Sequence, residues 1–265
     1  MALTASDRAP ANLAAMESLT PPAGPPLFLV PPGGLTAGMM TLDGPEGHHA
    51  AAVRRLRAGE RADVTDGAGS LAECVVTAVA KNSVTLDVRT LHTVPPPRPR
   101  LAVAQALPKG DRGELAVELM TEVGVDTVIP WAAARSIAKW QAERGAKALA
   151  KWRATAREAA KQSRRAWLPE VTELAATAAL AQRVAAAAGA IVLEADAPAK
   201  LHEVPLPEEG EILLLVGPEG GISPTERATL RDSGALEARL GPTVLRTSTA
   251  GAAAAVILLT RTARW

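Results

Sequence analysis

Two glycine turns near the C-terminal end of the chain carry the strongest signal for chemistry. The first, L-L-L-V-G-P-E-G-G-I over Leu213–Ile222, runs from an apolar strand into a turn with three glycines and one carboxylate. The second, L-G-P-T-V-L-R-T-S-T over Leu240–Thr249, follows another apolar strand. Glycine lets a ligand approach the backbone because it has no Cβ, and a neighbouring proline stiffens the turn. Since open α/β sheets bind ligands beyond the carboxyl ends of their strands, we expect both turns to line one small-ligand site.

Basic side chains form a second pattern, on a helix that we predict over Arg144–Trp167. Between positions 144 and 165 only Glu158 opposes them, and four cations recur at spacings of four, four and three, so they share a face. A solvated helix face is one interpretation. We favour nucleic acid, because such a stripe repels itself unless phosphates neutralise it and the helix ends in Q-S-R-R. The predicted RNA contacts are Arg153, Arg157, Lys161, Gln162, Arg164 and Arg165.

A second basic patch, H-H-A-A-A-V-R-R-L-R, lies in the N-terminal part of the chain. It brings His48, His49, Arg54 and Arg55 together within ten residues. No cysteine or third histidine stands at ligand spacing, so we predict no metal site. RNA contact and a plain structural role both remain open for this patch. Further candidates for phosphate contact are Lys109 and Arg112 in P-K-G-D-R, where Asp111 is an expected helix N-cap.

Composition narrows the class of protein. Of the 265 residues 48% are hydrophobic but only 2% aromatic, so alanine and leucine must fill the core. The lone Cys74 excludes an intramolecular disulfide framework and is typical of a reducing compartment. The longest apolar run, Ala250–Leu259, is about half a membrane span, and the N-terminus lacks the pattern of a signal peptide. We therefore expect a cytoplasmic protein without a membrane partner.

The order of the predicted elements indicates two domains. Residues 1–26 are rich in alanine and proline and are expected to form a disordered leader. Short strands then predict a small β-barrel over residues 27–94, followed by a stiff proline-rich linker over 95–99. The predicted strands of the barrel are Leu27–Val30, Arg61–Asp66, Leu71–Ala80 and Val84–Leu91, with a hairpin at D-G-A-G.

Residues 100–265 alternate between strands and helices, which predicts an α/β domain with a mostly parallel sheet covered on both faces. Ser223, with Glu226 three residues on, predicts a capping box. The predicted strands are Leu101–Ala106, Thr127–Pro130, Ala190–Glu194, Ile212–Val216 and Ala235–Leu240. The predicted helices are Asp111–Val123, Arg144–Trp167, Leu174–Ala188, Pro224–Asp232 and Ser248–Arg261.

Several motifs, taken together, resemble those of a known enzyme family. They are H-H-x-x-x-V-R-R-L-R, Q-A-L-P-K-G-D-R, T-E-V-G-V-D-x-x-I-P-W, Q-S-R-R, L-L-L-V-G-P-E-G-G-I-S-P-T-E and L-G-P-x-V-L-R-T-S-T-A. In this order they resemble the 16S ribosomal RNA uridine N3-methyltransferases of the SPOUT superfamily of knotted methyltransferases. The resemblance covers roughly Leu27 to Trp265, and its most specific part is the pair of glycine turns.

The resemblance implies a PUA-like β-barrel that helps to hold RNA, followed by a SPOUT-type knotted α/β domain. It also implies a homodimer, S-adenosylmethionine as cofactor, and N3 of one 16S ribosomal RNA uridine in the small subunit as target. Ser248 departs from the family, which often has Glu there, and so excludes a catalytic carboxylate at that position. The cofactor contacts that the resemblance implies are Leu193, Gly217, Glu219, Gly220, Gly221, Ile222, Leu240, Gly241, Val244, Leu245 and Arg246.

Two residues of the turns are candidates for catalysis. Uridine N3 carries a proton at neutral pH and must lose it before or during attack, to water or to a side chain. Arg246 stays charged, so it cannot act as an ordinary base, but it can stabilise the developing uridine anion or a phosphate. Glu219 is the nearest carboxylate in sequence. Two roles are open for it: a general base that accepts the proton, or an anchor of its own turn through backbone N–H bonds.

Two other functions deserve comparison with a methyltransferase. A non-catalytic RNA-binding or ribosome-assembly factor would keep the basic helix and lose methyl transfer. An enzyme that binds nucleotide phosphates at the glycine turn is disfavoured, because both G-x-x-x-x-G-K-[ST] and G-x-G-x-x-G are missing and Glu219 would repel phosphate.

Overall fold

The computed structural model describes residues 24–265, so nearly all of the leader predicted over 1–26 lies outside the described residues. The N-terminal part is a five-stranded sheet in the order β1-β3-β4-β5-β2. Strand β1 pairs parallel with β3, and the other neighbours are antiparallel. The strands are β1 Leu27–Leu29, β2 Gly38–Leu42, β3 Arg61–Thr65, β4 Ser70–Val79 and β5 Val84–Thr93; helix α1 is Gly44–His48, and a π-helical turn spans His49–Val53.

The C-terminal part is a six-stranded parallel sheet in the order β11-β9-β10-β6-β7-β8. The mixed α/β fold and the parallel sheet are as predicted, while the knot is a matter of chain threading and stays a prediction. The strands are β6 Arg100–Ala106, β7 Thr127–Trp131, β8 Glu170–Val171, β9 Gly189–Leu193, β10 Glu211–Val216 and β11 Leu236–Ala238. The helices are α2 Arg112–Glu122, α3 Ala142–Gln162, α4 Thr177–Ala186, α5 Pro224–Asp232 and α6 Thr247–Arg261, with a 3-10 turn at Leu201–Glu203.

Alternating apolar side chains bury both faces of the parallel sheet. On β10, Leu214 packs with the helices α2, α3 and α6, whereas its neighbours Leu213 and Leu215 pack with α4 and α5. Small residues let α6 approach closely, since a Cβ on Gly251 would lie 2.9 Å from the sulfur of Met120. The sheet is therefore fixed on both sides, and its carboxyl-end loops project from a rigid base.

Helix α3 is shorter than predicted. Some of the basic side chains on it are paired with a carboxylate of the protein itself. The helix ends at Gln162, and Arg164 takes a φ of +57°, which removes it from the helix face. Lys161 is buried and its Nζ donates to Glu46 Oε1 at 2.9 Å, across the boundary between the two sheets. Arg157 lies 3.5 Å from the same carboxylate. The premise that only phosphates neutralise this stripe is wrong.

Arg164 and Arg165, which were also predicted to bind RNA, donate hydrogen bonds to backbone carbonyls of the protein. Arg165 is almost enclosed and donates to the carbonyls of Thr121 and Val125. Burial lowers the pKa of its guanidinium to about 10, although the nearby Asp126 opposes that shift. Arg164 donates to the carbonyl of Pro25 at 2.7 Å, at the edge of the first sheet. These contacts give both arginines a structural role.

The segment after α3 closes the joint between the two sheets. Trp167 and Leu168 pack against the β3–β4 turn, where Gly67 and Gly69 have φ values of +70° and +100°. A Cβ on Gly69 would lie 2.5 Å from the Trp167 ring, and one on Gly67 would lie 2.5 Å from Leu168. The Trp167 indole donates to the carbonyl of Val94. The turn therefore needs glycine for its backbone and for its contact with the second sheet.

Candidate cofactor site and RNA-binding residues

The two glycine turns meet at one cavity of about 360 Å³, at the carboxyl ends of β9 and β10. The strand order brings them together because β9 and β10 are neighbours and the second turn follows β11, next to β9. The cavity lies within the size range of small-molecule sites, about 300–1,000 Å³. The structure places ten of the predicted residues in its lining: Leu193, Gly217, Glu219, Gly221, Ile222, Leu240, Gly241, Val244, Leu245 and Arg246.

The remaining one, Gly220, faces a different neighbour. A Cβ on Gly220 would lie 3.3 Å from Cβ of Arg135, in the loop after β7. The Arg135 guanidinium donates to the Gly220 carbonyl at 3.1 Å. Gly220 therefore belongs to the contact between two loops, and cofactor contact by it stays a prediction. Sequence reasoning missed Arg135; the available signal was a cation shortly beyond the end of a parallel strand.

The first turn is braced from several sides. Gly221 has a φ of +70°, and its N–H donates to the Pro218 carbonyl at 2.9 Å. Glu219 accepts from the backbone N–H of Lys109 at 3.3 Å, so it links the turn to the loop after β6. This bond favours the role of anchor for Glu219, while its role as a base stays a prediction.

The predicted capping box on α5 is present and also fixes a neighbouring loop. The Ser223 hydroxyl accepts from the N–H of Glu226, and Glu226 accepts from the Ser223 N–H and hydroxyl. Its other oxygen accepts from the N–H of Ala134 and the hydroxyl of Thr177, both at 2.8 Å. Burial alone would raise the pKa of this carboxyl, but the four donors outweigh burial and lower it. Glu226 thus holds three segments together beneath the first turn.

The second turn lacks comparable support. Val244 is 84% exposed and Leu245 40% exposed, although both line the cavity. Arg246 is exposed, and its guanidinium makes no hydrogen bond to the residues that the structure describes. Its carbonyl accepts from the N–H groups of Thr249 and Ala250, at the start of α6. The Arg246 side chain is therefore free to meet a ligand beside the cavity.

Two buried polar groups near the turns have no partner in the described part of the chain. The Ser248 hydroxyl lies in the first turn of α6. Oε1 of Glu194 is the second; this residue follows β9 and lines the cavity. Burial raises the pKa of Glu194, Arg227 at 3.6 Å opposes the shift, and Asp196 and Glu237 add to it. Sequence reasoning stopped one residue short of Glu194, at Leu193.

The predicted RNA contacts of the N-terminal part and the loop after β6 are dispersed. Arg54 and Arg55 are exposed, whereas His49 packs edge-on against Phe28 at 5.8 Å and contacts Lys161. His48 bonds to Asn82 at 3.1 Å. RNA binding by these residues stays a prediction, as it does for the exposed Lys109, Arg153, Arg157 and Gln162 and for Arg112, which lines the cavity.

Residues 24–265 contain no group of three or more His, Cys, Asp and Glu side chains placed to hold a metal ion. Over the same range, no helix combines the length and apolar character needed to cross a bilayer.

Comparison with known proteins defines the class first. Residues 95–259 match the family model of the RNA methyltransferase domain, and residues 42–89 match that of the RNA methyltransferase PUA domain. A solved ribosomal RNA small subunit methyltransferase E from Neisseria gonorrhoeae, bound to S-adenosylmethionine, is similar with a TM-score of 0.78 and 25% identity, covering 90% of this chain and 98% of that one. The fold is thus that of a SPOUT methyltransferase with a small PUA-like N-terminal domain.

The curated relatives narrow the class to a family. Ribosomal RNA small subunit methyltransferase E from Mycobacterium tuberculosis is 46% identical over 234 residues, or 87% of this chain and 89% of the relative. The protein of the same name from Bacillus subtilis is 30% identical, covering 81% of this chain and 87% of the relative. The chain belongs to the ribosomal RNA small subunit methyltransferase E family.

Proposed function

We propose that the protein transfers a methyl group from S-adenosylmethionine to N3 of a uridine in 16S ribosomal RNA. The observation that carries this proposal is the single cavity formed by two glycine turns at the ends of neighbouring parallel strands. Its apolar wall, with Leu193, Leu240 and Ile222, suits an adenine ring, and its exposed backbone suits polar groups of a small ligand. The membership of the family supports the same reaction class.

The residues present fit this cofactor in charge as well as in shape. S-adenosylmethionine carries a sulfonium cation, and when bound it supplies the methyl group for attack by a nitrogen lone pair. Glu219 and Glu194 are the two acidic residues of the lining. Oε1 of Glu194 is enclosed and unpartnered in the described part of the chain, and rotation of its carboxyl group would bring it to a ligand in the cavity. The glycine at position 217 lets Ile222 pack close to the end of β10, where both residues line the cavity. The first turn would thus hold the cofactor, and its bracing would keep the methyl group in one position.

Arg246 is the residue that we assign to the target base. It is the N-cap residue of α6 beside the cavity, it is exposed, and no carboxylate of the described residues lies within ion-pair distance of it. As uridine N3 loses its proton, negative charge spreads over the adjoining carbonyl oxygens. A guanidinium placed there stabilises that charge without giving up a proton. We therefore expect Arg246→Lys to retain part of the activity and Arg246→Ala to lose about a hundredfold or more in kcat.

We also propose a cytoplasmic homodimer, as the family resemblance implies. The second turn supports this proposal, because Val244 and Leu245 lie exposed beside the cavity and a second copy would cover them. Light scattering coupled to size exclusion should give about twice the mass of the 27.4 kDa chain. A monomer at micromolar concentration would contradict the proposal.

The deciding experiment uses small ribosomal subunits from a strain that lacks the orthologous gene. Subunits and naked 16S RNA are incubated with the full chain and S-adenosylmethionine that carries a labelled methyl group, and the digested nucleosides are separated by mass spectrometry. We expect label in N3-methyluridine. Label in another nucleoside would overturn the assigned position. RNA binding without any label would instead favour a non-catalytic assembly factor.

A further inference from the structure

Glu194 lines the cavity and lies in register with the first turn. In the ladder between β9 and β10, Leu193 pairs with Val216, so Glu194 lies beside Gly217, where the first turn begins. Its N–H donates to the Ala238 carbonyl at 3.1 Å, which continues the pairing with β11. The backbone of Glu194 is therefore fixed between two strands, and its side chain begins from a rigid point at the carboxyl edge of the sheet.

One oxygen of the Glu194 carboxylate lacks a hydrogen-bond partner in the described part of the chain, while the other lies within ion-pair distance of Arg227. Only 14% of the Glu194 side chain is exposed, and the first of these oxygens is Oε1. The nearest cation, Arg227, is already held by Glu237 in a two-bond pair of 3.0 and 2.7 Å, and it lies 3.6 Å from Oε2 of Glu194. A buried acceptor left without a hydrogen bond destabilises the folded protein. Oε1 is enclosed, so a ligand hydroxyl reaches it once the carboxyl group rotates toward the cavity, and the new hydrogen bond then removes this destabilisation.

The kind of donor follows from the position and charge of this carboxylate. A carboxylate at the end of a parallel strand is the group with which nucleotide-binding sheets accept ribose hydroxyls. A phosphate group is disfavoured beside Glu194, because the three carboxylates of Glu194, Asp196 and Glu237 surround Arg227. Arg135 is the one other cation among the described residues whose charge acts on Glu194. A neutral ribose diol offers two hydroxyl donors and carries no charge of its own.

We propose that Glu194 accepts hydrogen bonds from the ribose hydroxyls of the bound cofactor. This inference rests on the proposed function, because it takes the cavity to be the S-adenosylmethionine site. It makes Glu194 a specificity-determining residue, which distinguishes an adenosine ligand from a deoxyadenosine one. Since an orphaned acceptor rejects ligands without the hydroxyl, the discrimination is lost when the carboxylate is removed.

The test is calorimetric titration of the full chain with S-adenosylhomocysteine and with its 2′,3′-dideoxy analogue. For wild type we expect the analogue to bind about tenfold or more weakly than S-adenosylhomocysteine. We expect Glu194→Ala to weaken S-adenosylhomocysteine to a similar degree and to bind the two ligands equally. The matched control is Asp196→Ala, which also removes a carboxylate near Arg227 but is 73% exposed and absent from the cavity lining. The control should keep the wild-type difference between the ligands.

The outcomes separate the two proposals. If wild type binds neither S-adenosylmethionine nor S-adenosylhomocysteine, the cofactor site itself is wrong. If wild type binds both and Glu194→Ala still distinguishes the dideoxy analogue as wild type does, the role of Glu194 is overturned. Should Glu194→Ala lose its cooperative melting transition, Glu194→Leu replaces it, because leucine fills a similar volume and has no acceptor. A ligand difference in Glu194→Leu as large as in wild type would overturn the role equally.

Discussion

The two turns that form the cavity differ in how they are held. The first, Gly217–Ile222, is tied by Glu219 to one loop and by Arg135 to another, and it lies above the capping box of α5. The second, Gly241–Arg246, presents Val244 and Leu245 to solvent. One wall of the site is therefore complete in the free chain, whereas the other has apolar surface left to cover. We infer that ligand, RNA or a second subunit completes the second wall.

The largest effect should come from removing the support beneath the first turn. Glu226→Ala leaves the Ala134 N–H without its acceptor and opens the capping box. We expect the free energy of unfolding to fall by about 2–4 kcal/mol, measured by urea denaturation. Thr225→Ala is the control, because this exposed side chain on the same helix makes no hydrogen bond to the described residues and its loss should cost under about 0.5 kcal/mol. If both variants lost the same free energy of unfolding, Glu226 would not be a special support of the first turn.

The next largest effect is expected from substituting one glycine in each turn, Gly217 and Gly241, by alanine. A Cβ on Gly217 would lie 2.7 Å from Cγ1 of Ile222, so Gly217→Ala must displace a residue of the cavity wall. A Cβ on Gly241 meets nothing within 4 Å. We expect Gly217→Ala to lower stability by about 1–3 kcal/mol and to weaken cofactor binding at least tenfold. Gly241→Ala should melt like wild type, so any loss of affinity in it reports the ligand alone. A destabilised Gly241→Ala would contradict an open second turn.

A smaller effect should appear on acidification. Hydrogen bonds hold the pKa of Glu226 below its ordinary value of 4.5, so its ionised form stabilises the folded state at neutral pH. This contribution is complete above the unfolded-state pKa and is lost as pH falls through the folded-state pKa. The stability advantage of wild type over Glu226→Gln should therefore be constant from pH 7 to about 5.5 and shrink below 4.5. Denaturation curves at several pH values test this, and an advantage that grows in acid would refute it.

The smallest effect on folding should come from the second turn. Because Val244 is 84% exposed, Val244→Ser should change the unfolding free energy by less than about 0.5 kcal/mol. If ligand or a partner covers this side chain, the same variant should bind the cofactor or dimerise several-fold more weakly. Melting and titration of one preparation separate the two effects. A clear drop in melting temperature would mean that Val244 is already packed.

Local signals made much of this fold predictable. The capping box at Ser223 and Glu226 was confirmed because both partners lie within one turn of helix. The parallel strands were found because alternate apolar residues bury both faces of the sheet. Strand β2 was missed, since G-M-M-T-L is mostly exposed and shows no alternation. Helix α3 was predicted too long because nothing in its composition indicates the positive φ of Arg164.

Sequence patterns also revealed only the local features of the candidate site. The two glycine turns are visible in sequence because glycine and proline mark them individually. The partner of Lys161 is Glu46, 115 residues away, so no spacing rule could distinguish a domain contact from an RNA contact. Arg135 contacts Gly220 across 85 residues, and its role follows only from the folded arrangement of two loops. Pairings over such distances depend on tertiary packing and not on local periodicity.

The packing of Trp167 and Leu168 against Gly67 and Gly69 has a consequence for how far apart two RNA contacts can lie. These close contacts help to fix the distance between the N-terminal sheet and the cavity. An RNA strand bound by the N-terminal sheet would therefore enter the cavity at a fixed distance from its first contact. Exchanging the N-terminal domain with that of a relative would preserve that distance only if the residues on both sides of this contact were transplanted together.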